Sequence, residues 1–108
     1  MPTNLIIGEF EQIVLLSLLH LRDAPYALPL RDHLNGVVKR EVSRSALYRT
    51  LDRLEEKGFL EWDLEHDRPA RGGHPRRRFR VTAEGLSTLK ASRSRLTGLW
   101  TGLEEILG

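Results

Sequence analysis

The sequence contains no cysteine. This absence excludes disulfide bonds, thiolate metal sites and cysteine nucleophiles together. The apolar run Ile13–Leu19 is too short to cross a bilayer, and no basic residue precedes it. We therefore expect neither a signal peptide nor a membrane span, and we expect a cytoplasmic protein.

Recognisable catalytic and metal-binding patterns are also missing. The serines and carboxylates form no nucleophile or acid–base set that we can identify. The histidines lie far apart in the sequence and lack the spacing of metal ligands. They are His20, His33, His66 and His74. We expect no metal, no cofactor and no enzymatic activity.

Positive charge is concentrated in one short segment, although the net charge is only +2. Residues 68–80 contain six arginines and no acidic residue; these are Arg68, Arg71, Arg76, Arg77, Arg78 and Arg80. A polyanion responds to the nearest charged patch, because salt screens charges beyond a Debye length of about 8 Å. The segment is therefore a candidate surface for a polyanion.

Two helices are predicted before residue 40. The first covers about Glu9–Leu21, and its apolar residues leave few polar faces, as is typical of a central core helix. The second is short, near Leu28–Leu34, with Pro29 in its first turn, where a missing N–H is tolerated.

The third predicted helix, Arg44–Lys57, has the clearest boundaries. Ser43 is a suitable N-cap, and Gly58 follows the end of the helix as a C′ glycine should. Its leucines Leu47, Leu51 and Leu54 recur at helical spacing, which predicts one buried face.

A two-stranded hairpin and a fourth helix are predicted next. Leu60, Trp62 and Leu64 alternate with acidic residues, which indicates a half-buried strand with Glu61, Asp63 and Glu65 on its solvent face. The glycines and prolines of 67–75 indicate a hairpin tip, and a second strand covers about Arg76–Val81. Thr82 then caps a helix from Ala83 to about Ile106.

The last helix carries a heptad seam with one basic interruption. Its members are Leu86, Leu89, Arg93, Leu96, Trp100, Leu103 and Leu107. We expect part of this stripe to cover the domain's own core and the rest to form a dimer interface with a second copy of the chain. Trp100 could also line an inter-subunit pocket for an aromatic effector, although a tryptophan in such a stripe more often belongs to a core or an interface.

Four segments resemble the PadR family of winged-helix regulators. VSRSALYRTLDRLEEKG (Val42–Gly58) and ARGGHPRRRFRVTAEG (Ala70–Gly85) are similar to its third helix and wing. GEFEQIVLLSLL (Gly8–Leu19) and the pair Pro25-Tyr26 are similar to its opening. The chain departs from the family at Ala27, where glycine is frequent, and its single C-terminal helix is like that of the short-tailed members. The resemblance implies a homodimeric repressor of transcription that a small molecule sometimes releases from DNA.

Candidate DNA-binding residues lie on the third helix and on the wing. A recognition helix offers its N-terminal residues to base edges in the major groove, and arginine can pair with guanine through two hydrogen bonds. On the helix the candidates are Arg44, Ser45, Tyr48 and Arg49, of which the resemblance implies Tyr48. The alternative is that Tyr48 only covers the surface, that Arg49 pairs with Asp52 and that Arg53 pairs with Glu56.

On the wing the candidates for phosphate contacts are Arg68, Arg71, Arg76 and Arg78. The alternative is that Arg76, Arg78 and Arg80 pair across the hairpin with the acidic residues of the first strand.

The sequence therefore predicts a mainly α-helical fold with a small β-hairpin. Residues 1–81 form a winged helix-turn-helix DNA-binding domain of three helices and a two-stranded wing, and residues 82–108 form a C-terminal dimerisation helix. The predicted function is a sequence-specific regulator of transcription whose partners are double-stranded DNA, a second copy of the chain and an effector that the sequence does not identify. The alternatives are a winged-helix module that binds a protein and a nonspecific nucleic-acid binder.

Overall fold

The computed structural model describes residues 7–65 and 75–108. Its elements are α1 (Glu9–His20), α2 (Ala27–Gly36), α3 (Arg44–Glu56), β1 (Leu60–Leu64), β2 (Arg77–Val81), α4 (Ala83–Trp100) and α5 (Glu104–Leu107). β1 and β2 pair in antiparallel orientation. The predicted winged helix-turn-helix, with three helices and a two-stranded wing, is thus confirmed. Among the described residues no helix combines the length and hydropathy needed to cross a membrane.

The helix boundaries follow the predicted caps closely. The Ser43 hydroxyl accepts a hydrogen bond from the backbone N–H of Ala46 at 3.1 Å and so satisfies one of the unpaired donors in the first turn of α3. Gly58 follows the helix with a φ of 84°, a left-handed conformation in which glycine carries no steric penalty. α2 is slightly longer than predicted and includes Ala27 and Gly36.

The core forms where α1, α2 and α3 meet the hairpin. Its most deeply buried side chains are leucines and a valine, and they come from every one of these elements; they are Val14, Leu15, Leu30, Leu34, Leu47, Leu51, Leu54 and Leu60. Ile7, Leu18, Phe59, Phe79 and Leu89 belong to the same cluster. The predicted buried face of α3 is therefore confirmed.

Glu11 connects the beginning of α1 to the end of α3. Its buried carboxylate accepts hydrogen bonds from the backbone N–H of Gly8 at 2.9 Å and from Nζ of Lys57 at 3.0 Å. Burial alone raises the pKa of Glu11, but the hydrogen bonds from Gly8 and Lys57 and the positive charges of Lys57 and Arg53 outweigh it. The pKa of Glu11 is therefore held below its ordinary value.

The end of the hairpin where Glu65 follows β1 and Arg76 precedes β2 is held by a polar cluster whose contact with Tyr26 the sequence did not predict. The Tyr26 hydroxyl donates a hydrogen bond to Glu65 at 2.7 Å, and Nη2 of Arg76 donates to the same carboxylate at 3.0 Å. The predicted position of Glu65 on the solvent face is wrong. β1 ends at Leu64, so the alternation of the strand stops before Glu65, and the side chain is buried.

The first half of α4 packs on the domain. The Thr82 hydroxyl accepts a hydrogen bond from the N–H of Gly85 at 3.0 Å, which confirms the predicted cap. Gly85 lies so close to β1 that a Cβ atom there would be 2.5 Å from the carbonyl oxygen of Phe59. Further along, the Ser92 hydroxyl donates to the side-chain oxygen of Gln12 on α1 at 2.9 Å.

The predicted extent of the last helix, to about Ile106, is wrong. α4 ends at Trp100, and the four-residue helix α5 follows a turn. Thr101 has extended backbone angles, and Gly102 has a φ of 91°, which breaks the helical geometry in two successive residues. Leu103 and Leu107 therefore do not continue the seam of α4 on one helix.

Gly85→Ala should destabilise the fold because the backbone carbonyl of Phe59 cannot move aside for the added methyl group. Overpacking of this kind costs about 1–3 kcal/mol in the free energy of unfolding. Gly98→Ala on the same helix is the matched control, since nothing lies within 4 Å of a Cβ there. Thermal denaturation should show a lower melting temperature for Gly85→Ala and an unchanged or higher one for Gly98→Ala. Equal melting temperatures for the two variants would contradict the close approach.

Tyr26 should ionise at a higher pH than an ordinary tyrosine while the protein is folded. Its hydrogen bond to Glu65, then its burial and the negative charge of Glu65, raise the pKa of Tyr26 above 10.0. The contribution of protonated Tyr26 to the stability of the fold is therefore complete below the pKa of about 10 that tyrosine has in the unfolded chain. This contribution is lost as the pH rises through the pKa of Tyr26 in the folded protein.

A Tyr48→Phe variant leaves Tyr26 as its only tyrosine, so phenolate absorbance reports this one group. In the folded protein the absorbance should rise at a pH above 10. In urea it should rise at the pH at which an ordinary tyrosine ionises. Adding Glu65→Gln should shift the folded titration downward. An ordinary titration in the folded Tyr48→Phe protein would show that the cluster does not form.

Candidate nucleic-acid interface

The N-terminal half of α3 presents an exposed polar face. Arg44, Ser45, Tyr48 and Arg49 are all exposed. Ser45, Tyr48 and Arg49 lie away from the buried leucines, whereas Arg44 is exposed because it stands in the first turn, before Leu47. This arrangement follows from the helical period, because a face that is buried along one side leaves the residues between its members in solvent. The predicted exposure of all four side chains is observed, and their contact with DNA stays a prediction.

The arginines at this end of α3 have no ionic partner among the described residues. The alternative pairs, Arg49 with Asp52 and Arg53 with Glu56, are not formed in the described part of the chain. Arg53 instead points toward α1, where its Nη1 lies 3.9 Å from a carboxylate oxygen of Glu11. Arg44 and Arg49 therefore keep their hydrogen-bond donors available for a ligand.

The acidic residues of α3 lie toward the other end of the helix. Asp52, Glu55 and Glu56 are exposed, and Glu55 accepts a hydrogen bond from Nε1 of Trp62 on β1 at 3.1 Å. Positive charge at the beginning of the helix and negative charge at its end give α3 a polarity along its axis. A polyanion is attracted to the exposed arginines at the beginning of the helix and repelled by Asp52, Glu55 and Glu56 near its end.

The hairpin carries a ladder of ion pairs on its strands, as the alternative interpretation of the wing proposed. The shortest N–O distances are 2.9 Å for Arg80 with Glu61, 3.2 Å for Arg78 with Asp63 and 3.0 Å for Arg76 with Glu65. The hydrogen bond from Arg78 lowers the pKa of Asp63 below its ordinary value. The charges of Arg76 and Arg78, both predicted to contact phosphate, are thus offset by neighbouring carboxylates.

The other candidates on the wing cannot be placed in the structure. Arg68 and Arg71 lie outside the described residues, as do His66 and His74. Arg77 was not among the predicted contacts, but it is exposed and its guanidinium lies 4.7 Å from the centroid of the Trp62 ring. Arg77 occurs diagonally across the hairpin from Trp62, because Leu64 pairs with Arg77 and Trp62 with Phe79. The contact between Arg77 and Trp62 can be recognised only from the register of the two strands, which the sequence does not give.

Two histidines that are distant in the sequence come together in the fold. The rings of His20 and His33 stack with centroids 5.9 Å apart. The contact joins the end of α1 to the second half of α2. In the described part of the chain, no three His, Asp or Glu residues group in a way that could hold a metal ion.

The predicted interface residues of the C-terminal helix fall into two groups. Leu89 belongs to the core of its own domain, with 8% of its surface exposed. From Arg93 to the end of the chain every residue is exposed, including Leu96, Trp100, Leu103 and Leu107. The apolar surface is large for residues in water: Leu99 is 70% exposed, Trp100 61% and Ile106 77%. Leu86, on the second turn of α4, is also exposed.

Comparisons with known proteins agree with this geometry. The model of the transcriptional regulator PadR-like family matches residues 15–91, and no curated protein sequence matches the chain. A PadR family transcriptional regulator from Eggerthella lenta DSM 2243 is 28% identical, with a TM-score of 0.67 over 92% of this chain and 86% of that one. A PadR family transcription regulator from Clostridium difficile R20291 has the same fold, with 19% identity and a TM-score of 0.69 over 92% of this chain and 99% of that one. The family match covers most of the chain, which therefore belongs to the PadR-like family of transcriptional regulators.

Proposed function

We propose that the protein is a homodimeric repressor that binds an inverted repeat near a promoter. The observation that carries the proposal is the exposed N-terminal half of α3, where Arg44 and Arg49 have no ionic partner among the described residues. Repression follows from this surface if the bound dimer occupies a promoter. No catalytic step is required.

In this proposal α3 is the recognition helix. Arg44 and Ser45 lie in its first turn, the part of a recognition helix that approaches base edges in the major groove. The planar guanidinium of Arg44 can donate two hydrogen bonds to a guanine, whereas Tyr48 and Arg49, one turn later, can reach a base or a phosphate. The exposed acidic residues of the C-terminal half, Asp52, Glu55 and Glu56, then point away from the phosphates.

The wing supplies contacts to the DNA backbone. Arg68 and Arg71, which lie between the two strands in the sequence, are the proposed phosphate contacts, because the ladder residues Arg76 and Arg78 already share their charge with carboxylates. Exposed ion pairs contribute only about 0–1 kcal/mol, so a phosphate can compete with Asp63 for Arg78. We therefore assign Arg76 and Arg78 a smaller part in DNA binding than Arg68 and Arg71.

A second copy of the chain is the proposed partner of the C-terminal segment. Leu96, Leu99 and Trp100 occupy adjacent positions on α4 and find no cover within the described residues of their own chain. Burying such side chains is favourable by about 1.5–3 kcal/mol each. A twofold dimer buries the same stripe from both chains and presents two recognition helices to half-sites about 34 Å apart on one face of the DNA.

Arg44→Ala should reduce the preference for the specific site over random duplex by about 10–100-fold, because a bidentate base contact contributes about 1–3 kcal/mol of discrimination. Footprinting on the chromosomal region around the gene identifies the site, and fluorescence anisotropy at a stated salt concentration measures both affinities. Arg71→Ala should instead weaken binding to all duplexes alike. Lys90→Ala, which removes one positive charge from α4, is the control.

The same experiment tests the repressor and the inverted repeat. Two protected half-sites related by a dyad, and a reporter that is more active when the gene is deleted, would support them. If the wild-type protein binds the region no better than random duplex, a nonspecific nucleic-acid binder replaces the proposal. If it binds no DNA and forms a stable complex with a protein, a winged-helix module that binds a protein replaces the proposal.

Leu96→Glu and Leu99→Glu should each convert the dimer into a folded monomer, since a carboxylate in an apolar interface is not paired. Light scattering after size-exclusion chromatography gives the mass, and circular dichroism verifies the fold. Leu28→Glu is the matched control, because Leu28 is 62% exposed on α2. A wild-type protein that is monomeric at micromolar concentration would refute the homodimer.

A further inference from the structure

A cavity of about 320 Å³ lies between the beginning of α1, the turn before α3 and one side of α3. Its walls include Phe10, Val42 and Ala46, which are apolar, and Arg40, Arg49 and Arg53, which are charged. Sites for small ligands occupy about 300–1,000 Å³, so the cavity can hold a phosphate group and the atoms attached to it. The exposed face of α3 and this cavity share Arg49.

The charge of the cavity is strongly positive. Three guanidinium groups line it, and Glu41 is the one acidic residue among the lining side chains. Arg49 has no ionic partner among the described residues, and the 3.9 Å contact of Arg53 with Glu11 is long. Glu11 is already satisfied by Gly8 and Lys57 at about 3.0 Å or less, so Arg53 keeps donors for another anion.

The backbone and Phe10 position the third arginine. The chain turns at Lys39, which has a φ of 62°, and the N–H of Arg40 donates to the carbonyl oxygen of Leu34 at 2.8 Å. The Arg40 guanidinium then lies 4.8 Å from the centroid of the Phe10 ring. A cation on an aromatic face is held by the ring without losing its hydrogen-bond donors, so Arg40 is oriented and still able to bind.

We propose that this cavity is a phosphate-binding site formed by Arg40, Arg49 and Arg53. Guanidinium groups match the geometry of phosphate oxygens and form charge-assisted hydrogen bonds with them. The phosphate comes from the DNA backbone beside the bases that α3 reads, because Arg49 borders both surfaces. This source rests on the proposed function, whereas the phosphate chemistry of the cavity does not.

The first test measures DNA affinity as a function of salt for Arg40→Gln and Arg53→Gln. Each variant should weaken binding to specific and random duplexes alike, and each should reduce the slope of log K against log salt by up to about 0.9, the value of one fully lost phosphate contact. Arg40→Lys should recover most of the slope. Thermal denaturation verifies that the variants are folded.

Arg22→Gln is the matched control for loss of one positive charge. Arg22 follows the far end of α1, about 18 Å along the helix from Phe10 at the usual rise per residue. That distance exceeds two Debye lengths at physiological salt, which are each about 8 Å. The control should leave the slope within about 0.2 of the wild-type value if charge acts only through direct contact.

The second test uses inorganic phosphate with the free protein, followed by NMR or calorimetry. Saturable binding that Arg40→Gln and Arg53→Gln weaken at least tenfold supports the site. If phosphate binds but the DNA slopes of the variants stay at the wild-type value, the occupant is a free phosphorylated molecule, and the DNA source is wrong. If the variants change neither phosphate binding nor the slope, the cavity is not a phosphate site.

The two proposals fail separately. A wild-type protein that binds its operator specifically, together with cavity variants that behave like wild type, removes the phosphate site and keeps the regulator. A wild-type protein without DNA binding that still binds inorganic phosphate through Arg40 and Arg53 removes the regulator and keeps the site.

Discussion

The orientation of α3 depends on the burial of its leucine face. Leu47, Leu51 and Leu54 are almost completely excluded from water, and burial of each is favourable by about 1.5–3 kcal/mol. Any rotation of the helix about its axis would expose at least one of them. The rotation is therefore fixed by apolar contacts, and the arginines and the tyrosine of the opposite face are presented to solvent without any interaction of their own that holds them there.

Ion pairs with carboxylates determine which of the many arginines can still bind an anion. Glu11 and Glu65 are buried, and a buried carboxylate requires positively charged or hydrogen-bonding partners. Glu65 engages Arg76, and Glu11 engages Lys57 at short distance and Arg53 at longer distance. The positive surface of the wing is therefore smaller than the number of arginines in residues 68–80 suggests. Arg40, Arg49 and Arg53 add positive charge beside α3, outside the wing.

α4 is packed on the domain in its first half and exposed to solvent in its second half. Its first turns are in contact with the domain through Gly85, Leu89 and Ser92, and the close approach at Gly85 fixes where the helix leaves the hairpin. Beyond Ser92 the helix extends into solvent with its apolar side chains uncovered. A second chain packed against that half would be connected to the core through a continuous helix, so that the separation of two recognition helices would depend on the direction in which α4 leaves the domain.

Local features of the sequence determined the elements and their order. Caps such as Ser43 and Thr82, the glycine after α3 and the spacing of the leucines act over one or two helical turns, and residues that are neighbours in the chain suffice to recognise them. The exposed face of α3 follows from the same period. The candidate residues Arg44, Ser45, Tyr48 and Arg49 could therefore be located without a structure.

Only the tertiary structure decided the contacts between distant segments. Tyr26 meets Glu65 across 39 positions, and Ser92 meets Gln12 across 80, so no local pattern could indicate that Glu65 is buried. At the end of α4 the heptad seam predicted a continuous helix, but the backbone leaves helical geometry at Thr101 and Gly102. Periodicity describes which face a helix would bury, but the length of that helix and the partner of each charge depend on what the rest of the chain brings into contact with it.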